Sequence, residues 1–226
     1  MKKSILKKQP LSNAFTLIEL LFVIIVLGIL ASLVIPRLDR DLKQEAADTV
    51  LSAIRYTQHL ALTDNKHKFN KKDWQQSLWM IRFTKSSGEF FYTVATNFDG
   101  KNNLDQIESA IDPTNGKYMH TGDNILDDDE SPFIFLTQKY GINNVIFNDC
   151  TGTQTTTAKH IAFDNKGRPH RGIINTGGGG ASNDFRTYIK NKNCTITFQS
   201  PVFDSDFTIE IVRETGFAFI QGQPSS

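Results

Sequence analysis

The sequence predicts an α+β protein: a long amino-terminal helix, membrane-spanning in its first half and amphipathic in its second, packed on a mainly antiparallel β-sheet domain. Three observations carry that expectation. Residues 15–35 form a 21-residue apolar run broken by one charge, Glu19. Apolar residues then recur at helical spacing as far as Leu62. From Leu78 onward, short alternating runs are separated by turn residues rich in Gly, Asn and Asp. The first pattern fits a bilayer span, the second a helix with one covered face, the third a series of hairpins.

Met1 to Ala14 hold Lys2, Lys3, Lys7 and Lys8 and no acid. A helix over 15–35 would rise about 30 Å, the hydrocarbon thickness of a bilayer, and the flanking lysines would keep its start in the cytoplasm. A lone carboxylate in such a segment is costly in lipid and calls for a role. One turn from the helix start, Glu19 also suits the positive end of the helix dipole. Pro36 lacks an amide donor and clashes with the preceding turn, which predicts a kink or interruption. Beyond it, Leu38, Leu42, Ala46, Val50, Ile54 and Ala61 form a stripe widened by Ala47, Leu51 and Leu62. Arg40, Lys43, Glu45 and Asp48 take the other face. The spacing predicts an amphipathic helix from Pro36 to Leu62, stopping near Asp64-Asn65.

In the β-rich part, Leu78 to Thr84 and Glu89 to Thr96 flank Lys85-Ser86-Ser87-Gly88 and read as a hairpin. Lys159 to Asp164 and Arg168 to Ile174 flank Asn165-Lys166-Gly167, a second. Phe207 to Val212 and Phe217 to Gln221 flank Arg213-Glu214-Thr215-Gly216, a third, and Cys194 to Gln199 is a further strand. Residues 98–130 read as loop, and Thr176 to Asn183, with four consecutive glycines, as a mobile segment. Seventeen phenylalanines supply bulk for the core, and about 160 residues after the helix suffice for one domain.

The junction at residue 14 carries a resemblance. Ala14-Phe15-Thr16-Leu17-Ile18-Glu19, after a lysine-rich stretch and before an apolar run, resembles the class III signal of type IV pilins and type II secretion pseudopilins. That family has Gly where this chain has Ala14. Further on, Ile161-Ala162-Phe163-Asp164-Asn165-Lys166-Gly167-Arg168-Pro169 and the closing Ile209-Glu210-Ile211-Val212 with Gly216 resemble segments of the minor pseudopilin type H, related to the minor pilin type T.

The resemblance implies a division into a leader (1–14), a transmembrane helix (15–35), its amphipathic continuation (36–65) and a periplasmic β-rich domain (66–226). It implies cleavage between Ala14 and Phe15 by a prepilin peptidase, which also methylates Phe15. Glu19 would pair with the amino terminus of a neighbouring subunit during filament assembly. The implied partners are that peptidase, other pilin or pseudopilin subunits, the membrane, and an inner-membrane assembly platform with a cytoplasmic ATPase. The implied location is the bacterial inner membrane, single-pass, with the carboxy-terminal domain periplasmic, until assembly into a filament. The implied task is that of a minor subunit of a secretion pseudopilus. A minor pilin for DNA uptake or adhesion, and a stand-alone membrane-anchored binding module, are the alternatives. A conventional secretory signal ending at Ala31-Ser32 would instead release the domain.

The remaining features bound these readings. Without the four leader lysines, 21 Lys and Arg stand against 24 Asp and Glu, a net charge of −3 that gives no footprint for nucleic acid. Lys66, Lys68, Lys71 and Lys72, with Phe69 and Trp74, are the one candidate patch for a tip or nucleic-acid contact. Cys150 and Cys194 are the only cysteines. In an oxidising compartment a bridge between them would stabilise by roughly 4 kcal/mol, and two separate buried thiols remain the other reading. The five histidines lack metal-ligand spacing, and neither a Gly-x-Ser-x-Gly nor a phosphate-binding loop is present. A Cys150–His160 nucleophile and base, or calcium at Asp123 and Asp127 to Glu130, would be the exceptions. The expectation is a non-catalytic chain without metal or cofactor.

Overall fold

In the computed structural model, residues 16–68, 74–99, 103–150, 158–170, 189 and 192–223 are described, with backbone only for 31–41, 75–76 and 158. Helix α1 spans Leu17–Thr63. Thr16 begins it as a cap, its hydroxyl accepting the Glu19 amide at 3.3 Å, so one of the first-turn donors is satisfied. The helical assignment continues through Pro36, so the expected interruption does not occur. The helix stops one residue before Asp64, where its end was expected.

The membrane-spanning first half is corrected. Among the described residues no helix is long and apolar enough to cross a membrane. The apolar part of α1 with described side chains is Leu17–Leu30. The single-pass inner-membrane location with a cytoplasmic amino terminus and periplasmic domain conflicts with the same finding.

Two units follow from the packing, 1–38 and 39–226. In the second, Ala46, Ala47, Val50, Leu51, Ile54 and Ala61 of α1 are buried in the main core. Leu42 is partly buried against it, while Leu62 is exposed; the Leu38 side chain lies outside those described. Thr57 falls within the stripe and is fully buried, its hydroxyl donating to the Ala53 carbonyl at 2.7 Å. That back-bond lets a polar residue occupy an apolar position.

Among the described residues eight strands form two four-stranded sheets where one was expected. The first has the order β2-β1-β4-β5, from β1 (Trp79–Ser86), β2 (Glu89–Thr96), β4 (Ala158–Phe163) and β5 (Pro169–His170). The second has the order β3-β6-β7-β8, from β3 (Asn144–Asn148), β6 (Cys194–Gln199), β7 (Phe207–Ile211) and β8 (Ala218–Ile220). The pairings within both sheets are antiparallel. The β1–β2 turn is two residues, Ser87 and Gly88, with φ of 51° and 89°, the left-handed pair that matches hairpin twist. Phe83 joins the sheets, with Phe198 and Phe147 of the second sheet edge-on at 5.5 and 5.8 Å. Lys159 of β4 crosses as well, donating to the Val145 carbonyl of β3 at 3.0 Å. On the opposite face of β1, Leu78, Met80, Ala95, Leu104 and Ala162 make a second small core with Trp74 packed on it.

Among its described residues the stretch 98–130 has no regular strand but is tied down by isolated bridges, Ala95 to Ser109, Ile111 to Tyr118 and Tyr118 to Glu130. A short helix α2 (Leu136–Tyr140) then leads into β3. Neither α2 nor β3 was expected. Residues 176–183, and the expected strand beyond His170, lie outside the described residues.

Candidate functional site

The amino-terminal stretch of α1 has an unusual surface. Leu17 to Leu30 are exposed throughout, with large apolar side chains from 38% (Val26) to 84% (Leu17) exposed. Glu19 is the only ionisable side chain among them. It sits in the first turn, where a carboxylate complements the unpaired amides and the helix dipole. Thr16 followed three residues later by Glu19 is also the spacing of a capping box, a helix-start signal that reading the segment as a processing motif overlooked. Gly28 has nothing within 4 Å of where a side chain would begin. The surface can bury apolar area against another apolar helix, with Glu19 as its one ionisable group. The Ala14–Phe15 junction lies outside the described residues.

The other singled-out residues separate. Cys150 and Cys194 form a disulfide, their Cα atoms 4.3 Å apart and both side chains fully buried. It lies just past the Asn148–Thr195 pair that ends the β3–β6 ladder, so it locks that end of the second sheet. No free cysteine remains, which removes Cys150 as a partner for His160. Of the lysine patch, Lys66 and Lys68 are among the described residues. Lys66 pairs with Asp64 at 2.6 Å and lies 5.7 Å over the Trp79 ring, whose Nε1 also donates to Asp64 at 3.0 Å. Burial would raise the Asp64 carboxyl, but these two donors and the charges of Lys66 and Lys68 hold it below its ordinary value. Lys66 thus closes the end of α1, Lys68 is exposed, and Lys71 and Lys72 lie outside the described residues. Among the described residues no group of three or more His, Cys, Asp or Glu gathers to hold a metal. In the acidic run, Glu130 is buried and its carboxyl is raised, by that burial first.

Sequence reasoning missed a polar clamp at the β4–β5 turn. The Asp164 carboxylate is 4% exposed and accepts from the Lys166 and Arg168 amides, each at 2.9 Å. The Arg168 side chain reaches its other oxygen at 2.7 Å, and buried His170 reaches it at 3.2 Å. Burial would raise this carboxyl, yet these hydrogen bonds hold it far below the carboxylate range. Gln58 of α1 donates to the Gly167 and Thr215 carbonyls at 2.9 and 2.8 Å, tying this turn to the one between β7 and β8. Gly216, at φ 71°, is required there, because a Cβ would fall 2.0 Å from the Gly167 carbonyl oxygen. The signal was present in the Asp164-x-x-Gly167 and Gly216 turns, but which turns meet is a tertiary fact.

Against family models, characterised proteins and solved structures, no comparison finds a match for this chain. The resemblance at the junction therefore rests on its own residues.

Proposed function

We propose that this chain is a non-catalytic, pilin-like minor subunit. It is cut before Phe15 by a prepilin peptidase and assembled into a secretion pseudopilus for protein export. The observation that supports this most is the apolar surface of α1 from Leu17 to Leu30, exposed in the single chain and carrying one carboxylate, Glu19, within the Phe15-Thr16-Leu17-Ile18-Glu19 core. Burying an apolar row on a neighbour's equivalent helix contributes roughly 25 cal/mol per Å², which is an adequate drive for helix-on-helix assembly. A carboxylate one turn from the start can meet a neighbour's new amino terminus and set the axial register, offsetting the desolvation of both. The assembly platform and its cytoplasmic ATPase would do the work of extension. The disulfide fits a domain that matures in an oxidising compartment.

The test is the intact mass and amino-terminal sequence of the protein isolated from its source cells, beside the filament content of a Glu19→Leu variant. A chain starting at Phe15 with one added methyl, together with loss of the variant from filaments, is the expected result. A chain still starting at Met1 while the peptidase is active, or normal incorporation of Glu19→Leu, would overturn the reading.

A further inference from the structure

Away from the amino-terminal stretch, the domain carries a cavity of about 400 Å³ between the second half of α1 and the segment 111–133. Tyr56, Tyr92, Met119 and Phe133 give it an aromatic and apolar lining. Its charged lining is acidic only: Glu45, Asp48 and Asp112. These acids are not equally committed. Glu45 is already paired with Lys139 at 2.9 Å. Among the described residues Asp48 accepts only the Gln44 amide nitrogen, at 3.0 Å. Asp112 is 4% exposed and its partners are all neutral. They are the Thr114 amide and hydroxyl at 2.8 and 2.6 Å, the Ser131 hydroxyl at 2.6 Å and the Asn115 side chain at 3.3 Å. A buried carboxylate whose described donors are all neutral has no cation in its shell to offset it.

A second observation points the same way. Tyr92 is 1% exposed and lines the cavity, and its hydroxyl makes no hydrogen bond among the described residues. Burial first, then the Asp112 charge, push this phenol far above its ordinary range, so it stays a neutral hydroxyl with lone pairs to offer. Tyr56, by contrast, uses its hydroxyl on the Ile111 carbonyl at 2.9 Å, leaving its ring as wall. The Phe133 ring already accepts one cation, Lys139, whose Nζ lies 3.9 Å from its centroid.

We propose that this cavity binds an alkylammonium or alkylguanidinium group, the end of a lysine or arginine side chain from a partner polypeptide. Asp112 and Asp48 supply the counter-charge, the Tyr92 hydroxyl accepts one N–H, and Tyr56, Met119 and Phe133 hold the apolar stem. A neutral or anionic guest is disfavoured, because it would leave Asp112 without a cationic partner and meet the carboxylates of Asp112 and Asp48, which no described cation pairs. This site is independent of the processing at Phe15, and either reading can fail alone.

The test is calorimetric titration of the full chain at low salt with three probes: agmatine, the peptide acetyl-Gly-Lys-Gly-amide, and its neutral analogue with norleucine in place of lysine. The expected result is saturable binding of both charged probes, with the norleucine peptide weaker by about tenfold or more. Asp48→Asn, on the exposed rim, and Tyr92→Phe, which keeps the ring, should each weaken the lysine peptide about three- to tenfold. Both variants should keep the wild-type unfolding midpoint within a few degrees, so a lost affinity is read at the site. Equal binding of the charged and neutral peptides, no binding of either charged probe, or unchanged affinity in both variants overturns the proposal. Binding of agmatine without the peptide overturns the polypeptide source and leaves a small-amine site.

Discussion

The stretches Leu17–Leu30 and Ala46–Ala61 of α1 are both rich in apolar residues, and opposite in what becomes of them. In the second, apolar residues recur on one face with polar residues between, and that face disappears into the core while Asp48, Ser52 and His59 stay exposed. In the first, apolar side chains run round the helix and all are exposed. The difference teaches what patterning adds to hydropathy. A stripe implies cover from one side, which a sheet in the same chain can supply, whereas an all-round apolar helix has no polar face to give to water and needs cover on several sides.

The sharpest way to break this comparison is the same truncation in both places. Ile54 is fully buried, so Ile54→Ala should cost about 2–5 kcal/mol through lost burial and a residual cavity. Ile24 is 59% exposed, and Ile24→Ala should stay within about 0.5 kcal/mol. Denaturant unfolding of the two variants measures both. A similar cost at Ile24 would mean that the first stretch is covered within its own chain, and the contrast would collapse.

Acid offers a second, smaller separation. His160 of β4 is 2% exposed, and burial first, then the charge of Arg82 opposite it on β1, lower it to about 4 from its ordinary 6.5. The unfolded chain therefore takes up a proton near pH 6.5 that the folded chain accepts only near pH 4. Stability is complete above this window and falls as pH drops through it, by about 3 kcal/mol in all. Asp164 adds a further loss below it: its folded carboxyl is depressed, so its contribution is present above the ordinary carboxylate value and declines under acid. In His160→Gln the fall between pH 6.5 and 4 should flatten while the Asp164 part persists. An unchanged pH profile would show that His160 is not buried neutral in the folded protein.

How far these features can be read beforehand follows from the range of the interactions that make them. The Ser87-Gly88 turn, the 46–61 stripe and the Cys194–Gln199 strand depend on neighbours a few residues away, and each lies close to where its residues predict. Helix α2 is five residues long and β3 sits among polar letters, so neither offers enough periods to rise above its surroundings. The Asp112 network draws on Ser131, and the Gln58 clamp on Gly167 and Thr215, contacts that only tertiary structure creates. The expected bilayer span failed for a different reason: a run of apolar letters says that a surface wants cover, not what supplies it. The disulfide needed geometry as well, because two cysteines in one domain are equally consistent with two buried thiols.

The smallest predicted effect asks whether the two stretches of α1 are energetically separate. Thr16 accepts the Glu19 amide, and removing a side-chain cap from a helix costs about 0.5–2 kcal/mol, more often near 1. In Thr16→Ala that loss should be local. Amides in the first turns, from Leu17 onward, should exchange about fivefold faster with solvent, as expected for about 1 kcal/mol of easier opening. The global unfolding midpoint should not move, because the core that determines it begins at Ala46, some eight turns further along at 3.6 residues each. A matching drop in that midpoint would mean that fraying at Thr16 propagates to the buried stripe, so that the helix opens as one cooperative unit rather than as two stretches with separate partners.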